Sequence, residues 1–266
     1  MNYLNFFQKL DKLNFQKPMK NKIYQGFKFQ ETIVIRLNDD RYPKFVLENM
    51  GNSAPPVLYC KGCLPLLNQK GVSIVGSRDV GEFEIEITKT IARKLSENGI
   101  NVISGYAKGI DTAAHLGALE AQGTTTMVLS FGVNHLTIKR EIKKFNWEEN
   151  ALFVSQFAPN EIFSGKNAMT RNKLVCAMSK AVVVIKSGPE KDPTTGKMSG
   201  TFNAGKSALE MGIPLFVLSP KKFDTTPLGN KELIKKGGIE FSDETEILKF
   251  LEDKPIKTQQ RTLFDV

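Results

Sequence analysis

From Gly71 onward the sequence alternates short β-branched and aliphatic runs with longer stretches of helical period, and this alternation is its strongest constraint on fold. Residues 72–75, 101–104, 124–129, 151–154, 181–185 and 214–218 read as strands. Between them, Phe83, Ile87, Ile91 and Leu95 recur at helical spacing and stop at Asn98-Gly99. Further helices are expected over 110–121, around 173–178 and over 201–211. The strands are nearly continuous hydrophobic runs, as expected when both faces of a sheet are covered. Strands joined by helices require crossover connections, so the expected fold is α/β: a doubly wound, mostly parallel sheet with helices on both faces.

The flanks read differently. Residues 1–40 form a basic N-terminal extension whose first 30 positions hold six lysines against one aspartate. The main domain is expected over 41–240, and 241–266 read as a C-terminal helix followed by a polar tail. The formal net charge of +9 is compatible with a nucleic-acid partner, although a solvated lysine-rich surface would give the same balance. No run of about 18 apolar residues suggests a membrane span, and no basic segment followed by an apolar one suggests a signal peptide, so a cytoplasmic location is expected. Cys60 and Cys63 make a lone Cys-x-x-Cys in a strand-like context. That arrangement supports neither a four-ligand zinc site nor a helix-opening redox motif.

Ligands in such sheets bind beyond the carboxyl ends of the strands. Three glycine turns fall there: Gly76-Ser77-Arg78 after residues 72–75, Gly105 to Gly109 with Lys108 after 101–104, and Ser199-Gly200-Thr201 before 201–211. Glycine lets backbone approach a ligand closely, and the next helix offers unpaired N–H groups and a positive dipole end. One such turn alone could equally serve tight strand-to-helix packing. Three on one sheet edge, two of them with a cation, favour a phosphate site. The segment after Gly81 is not a Walker loop, and the Gly-x-Gly-x-x-Gly fingerprint is absent, so no nucleotide cofactor is implied. His115 lies mid-helix, where a structural role outweighs a general-base role, and His135 has no obvious carboxylate partner. No nucleophile–base set can be assembled, so catalysis is not expected.

The order Tyr42-Pro43, Pro55-Pro56-Val57-Leu58-Tyr59, Ile74 to Arg78, Ser104 to Leu119, Thr170 to Lys173, Ser199 to Thr201 and Gly229 to Ile234 resembles the DNA-processing protein A (DprA/Smf) family over about residues 40–240. The resemblance implies a Rossmann-like fold, single-stranded DNA binding, homodimerisation and delivery of the strand to a RecA-type recombinase. It places phosphate contacts on Gly76, Ser77 and Arg78, on Lys108 and Gly109, and on Arg171, Asn172 and Lys173, to which the reading of the glycine turns adds Gly105 and Ser199, Gly200 and Thr201. Lys173 stands where the family has arginine, which keeps the charge but loses the bidentate fork. Gln156 and Lys186 replace acidic residues, which would make the site more basic, and residues 188–198 form a longer loop. Tyr106 and Phe163 are candidate base-stacking residues. The terminal Gln260-Arg261-Thr262-Leu263-Phe264 is similar to sliding-clamp docking peptides, with Gln260, Leu263 and Phe264 as its anchors, although five residues also arise by chance.

Two rival readings belong to other classes. One is a sensor for a small nucleotide held in the same cleft. The other is an enzyme of the related phosphoribohydrolase group, against which Phe202-Asn203-Ala204 follows Gly200-Thr201 with no glutamate.

Overall fold

The computed structural model describes residues 31–69 and 71–253. The chain runs β1 (Ile33–Arg36), α1 (Lys44–Met50), β2 (Val57–Gly62), β3 (Gly71–Val75), α2 (Glu82–Glu97), β4 (Asn101–Gly105), α3 (Ile110–Glu120), β5 (Thr125–Val128) and α4 (Trp147–Asn150). It continues through β6 (Ala151–Ser155), α5 (Gly165–Ala177), β7 (Val182–Val184), α6 (Gly200–Glu210), β8 (Leu215–Leu218), α7 (Leu228–Lys235), β9 (Ile239–Phe241) and α8 (Glu244–Asp253). Among the described residues nine strands form one sheet in the order β1-β2-β6-β5-β4-β3-β7-β8-β9. The seven from β6 to β9 are parallel, while β2 pairs antiparallel with β6, and β1 antiparallel with β2.

Strand alternation assigns the cores. Val75, Ile103, Val128, Val154, Val182 and Val217 share one hydrophobic cluster with Val46 of α1, Leu174 of α5, Phe202 of α6 and Leu233 of α7. Val72, Ile74, Val102, Val183 and Phe216 share another with Ile91 and Leu95 of α2, Ile110 and Ala114 of α3, and Ile247 of α8. Met127 and Phe153 pack on Val133, Ile142 and Trp147 from the connection between β5 and β6. Helices therefore cover both faces, and burying each large aliphatic side chain contributes about 1.5–3 kcal/mol.

The sheet reaches past the expected domain limits. Residues 33–36, expected in the N-terminal extension, pair with β2, and β9 straddles position 240. Both are edge strands of only four and three residues, too short to show a period, and Ile239 stays 41% exposed. The apolar stripe of α2 also enters the core later than its spacing suggests. Ile91 and Leu95 are buried, but Phe83 is 43% exposed and meets Phe223 edge-on at 5.6 Å.

The connectivity sets the position of the site. From β3 the chain builds β4, β5 and β6 on one side, then returns through α5 to β7 on the other side of β3. The carboxyl ends of β3, β4 and β7 thus lie where the winding reverses, the place where open α/β sheets form a ligand crevice.

Candidate phosphate-binding site

Two of the three glycine turns meet at this reversal. Gly76 ends β3 with no room for a side chain, because a Cβ there would overlap the Ile110 side chain at the start of α3. Ser77 N–H donates to the Lys186 carbonyl at 2.9 Å, and the Ile110 N–H donates to the Ser77 carbonyl at 3.3 Å. The first turn is thereby pinned to β7 and to α3. Gly109 adopts φ +72°, a conformation that favours glycine, and a Cβ would come within 2.6 Å of the Ser77 carbonyl oxygen and 2.9 Å of the Arg78 Cα. The second turn rests directly on the first. Arg78 and Lys108 are both exposed, and neither forms an ion pair among the described residues.

Beneath the second turn lies a buried charge cluster. Arg171 of α5 is only 4% exposed, and its guanidinium faces the Asp111 carboxylate at 3.6 Å. Gly105 makes this approach feasible, since a methyl there would overlap both groups. Asp111 also accepts from the Ala107 N–H at 3.3 Å. Burial pulls the Arg171 pKa below its ordinary value, and the Asp111 charge opposes that shift. The Arg171 Nε has no hydrogen-bond partner among the described residues. Arg171 therefore supports the turn from inside, while its helix neighbour Lys173 is exposed.

His115 holds the same turn from α3. It is fully buried, with Nε2 2.6 Å from the Gly105 carbonyl and Nδ1 2.7 Å from the Thr125 hydroxyl. A carbonyl only accepts, so Nε2 carries the ring hydrogen, while the Thr125 hydroxyl beside Nδ1 donates to the Val102 carbonyl at 2.7 Å. Burial lowers its pKa to about 3, so the ring is neutral near pH 7. The unfolded chain takes up this proton near pH 6.5, whereas the folded chain refuses it until about pH 3. The stabilisation is complete above pH 6.5 and is lost as the pH falls, by up to about 1.4 kcal/mol per unit. Urea unfolding between pH 7 and 5, above the carboxylate range, is expected to show this slope in the wild type and not in His115→Gln. Equal slopes would contradict the assignment.

The third turn joins through α5. Asn172 Nδ2 donates to the Gly200 carbonyl at 2.9 Å. Ser199 caps α6, its Oγ accepting from the Phe202 N–H at 3.2 Å, so that hydroxyl is already engaged, and Thr201 stands half-buried in the first turn. The Gly229-Asn230 pair is a latch. Asn230 Oδ1 accepts from Ser187 N–H at 2.8 Å, and Nδ2 donates to the Ile185 and Leu218 carbonyls at 2.8 and 2.9 Å. It ties the ends of β7 and β8.

Several expected residues behave differently. Lys186 adds no free charge, because Glu84 pairs with it and also accepts from the Gly81 N–H at 2.9 Å. Burial alone would raise the Glu84 pKa, but the Lys186 ammonium and backbone N–H groups hold it below the ordinary value. Tyr106 is unavailable for stacking: its ring meets Phe153 edge-on at 5.8 Å, Lys139 Nζ covers the ring at 4.5 Å, and its hydroxyl donates to the Thr137 carbonyl at 3.1 Å. Phe163 remains 53% exposed, just before the α5 N-cap Ser164. Loop 188–198 folds on Asp192, whose Oδ1 accepts from Thr194 and Thr195 N–H at 3.0 and 2.6 Å. Cys60 is buried in β2, and burial pushes its thiol up to about 12. No group of three or more potential metal ligands occurs among the described residues. The anchors Gln260, Leu263 and Phe264 lie outside the described residues, as do positions 1–30.

Fold and site together define a doubly wound α/β module with glycine turns and the exposed cations Arg78 and Lys108 at its switch point. Residues 33–252 match the family described as DNA recombination-mediator protein A, and the chain belongs to that family. It is 30% identical to the DNA processing protein DprA of Streptococcus pneumoniae, over 79% of this chain and 71% of that one. Identity to DprA of Bacillus subtilis is 24%, over 90% of this chain and 78% of that one. The solved structure of the S. pneumoniae protein aligns with a TM-score of 0.70 at 28% identity, covering 83% of this chain and 75% of the other. That of Helicobacter pylori DprA, studied for its single-stranded DNA binding mode, aligns with a TM-score of 0.65 at 25% identity, covering 85% and 95%. No helix among the described residues is long and apolar enough to cross a membrane.

Proposed function

We propose that this chain binds single-stranded DNA along the carboxyl edge of its parallel sheet and acts as a DNA-processing protein without catalysing a reaction. The observation that carries this reading is the pairing of Arg78 and Lys108. Both are exposed, both lie on glycine turns, and the turns rest on each other. Two cations, Arg171 and Lys139, interact electrostatically with the buried carboxylate of Asp111, leaving positive charge under the second turn. A backbone phosphate on the outer side would offset it. The Helicobacter pylori relative, studied for single-stranded DNA binding, supports the choice of polymer. Gly76, Ser77, Arg78, Gly105, Lys108 and Gly109 form the main phosphate set, with Lys173 and Ser199–Thr201 beside it. A non-enzymatic role is supported by His115, whose two nitrogens are engaged inside the fold.

Transfer of the strand to a RecA-type recombinase belongs to the same proposal and is supported by the family's description as a recombination mediator. Homodimerisation, a cytoplasmic location and clamp docking through Gln260, Leu263 and Phe264 rest on sequence resemblance and composition.

A titration of labelled oligo-dT against free mononucleotides, at about 50 and about 200 mM salt, tests the reading. Oligonucleotide binding that weakens steeply with salt is expected. Binding of a mononucleotide alone would replace this reading with that of a nucleotide sensor.

A further inference from the structure

Lys139 belongs to none of the glycine turns, yet its ammonium reaches one of them. It lies in the connection between β5 and β6 and extends its half-buried side chain beneath Gly105–Gly109. Nζ donates to the Ala107 carbonyl at 2.8 Å and to Thr112 Oγ1 at 2.7 Å, and sits 4.5 Å from the Tyr106 ring centre. Thr112 Oγ1 in turn donates to the same Ala107 carbonyl at 2.6 Å. The backbone of Lys139 is held too, its N–H donating to the Tyr106 hydroxyl at 2.9 Å. Two hydrogens of the ammonium are committed to oxygens and the third faces an aromatic ring, so the group is poorly placed to be a phosphate contact itself.

The turn needs such a tie. It contains two glycines, one at positive φ, and glycine leaves backbone conformationally free. Asp111 accepts from the N–H of Ala107 and Lys139 donates to its carbonyl, so both peptide groups flanking that residue are anchored from inside. The next residue is the exposed Lys108, and the one after it, Gly109, bears on Ser77 and Arg78.

We propose that Lys139 is a positioning residue for phosphate binding: by fixing Ala107 it aims Lys108 and the Gly109 amide at the strand. This rests on the strand-binding reading above. The β5–β6 connection thereby becomes part of the binding apparatus without touching the ligand.

The test is an oligo-dT titration of the full chain at about 50 and about 200 mM salt, with wild type, Lys139→Met, Lys139→Arg, Tyr106→Phe and Arg78→Ala, and melting temperatures recorded in parallel. Lys139→Met keeps the apolar stem over Tyr106 and loses the ammonium. It is expected to weaken binding about tenfold and to make the salt slope shallower by about one phosphate contact. Lys139→Arg restores part of both, because it keeps charge and donors. Tyr106→Phe, which removes the hydroxyl that holds the Lys139 backbone, gives a smaller loss in the same direction and serves as the readout if Lys139→Met does not fold. A lowered melting temperature with wild-type affinity and slope in Lys139→Met and Tyr106→Phe, while Arg78→Ala still loses affinity, would overturn the inference and leave the strand-binding reading standing. Absence of oligonucleotide binding by the wild type would overturn that reading and this inference with it.

Discussion

Arg171→Ala is expected to destabilise the protein by about 3–5 kcal/mol. The substitution removes a guanidinium that is 4% exposed and leaves the Asp111 carboxylate buried, without its ion-pair partner and with the Ala107 N–H at 3.3 Å and the Lys139 charge for support. A carboxylate stranded in that environment costs more than the ion pair contributed, because desolvation is no longer offset. The companion variant separates the two effects. Arg171→Met with Asp111→Asn removes both charges while retaining much of the volume, and most of the lost stability is expected to return. Denaturant unfolding of Arg171→Met, Asp111→Asn and their double closes the cycle. A loss below about 1 kcal/mol for Arg171→Ala would mean that the pair does not bear on folding.

The second large effect is expected at Gly105. A methyl group there would overlap the Arg171 guanidinium and the Asp111 carboxylate at once. Neither can retreat easily: Arg171 is packed between α5 and β4, and Asp111 opens α3. Overpacking of this kind costs about 1–3 kcal/mol, and displacing the buried pair adds to it. Gly105→Ala is therefore expected to lose about 3 kcal/mol or more in urea unfolding. Gly165→Ala is the control, since a Cβ at that position meets nothing within 4 Å. It is expected to change stability by less than about 1 kcal/mol. Similar losses at the two glycines would show that the buried pair accommodates a methyl group at Gly105.

The parallel core was legible because its strands are continuous aliphatic runs and its helices have a clear period. The positions of β3 to β8 and of α2, α3 and α6 agree with that reading to within one or two residues. The short edge strands β1 and β9 were not legible, since three or four residues carry no usable pattern. The glycine turns announced themselves through Gly76-Ser77-Arg78 and Lys108-Gly109, which sequence alone places at strand ends. Which cations face outward was a different matter. Arg171 and Lys173 stand two positions apart in one motif, and only the packing of α5 on β4 sends the first inside and leaves the second exposed. Lys186 and Glu84 are 102 residues apart, so their pairing has no local signature. Lys139 was missed for the same reason, its partners Ala107 and Thr112 lying 32 and 27 residues away. The glycines marked the place of the site, while the groups that hold its shape came from distant parts of the chain.

The most direct test of the central claim is the salt dependence of oligo-dT binding by the Arg78→Ala/Lys108→Ala double variant beside the wild type. Each phosphate contact on a single strand contributes about 0.7 to the slope of log K against log salt. Both side chains are exposed and without ion pairs among the described residues, so the fold is expected to survive. Weaker binding and a slope shallower by about 1.4 are the expected result. A folded double variant with the affinity and slope of the wild type would contradict the assignment of the strand to this edge of the sheet.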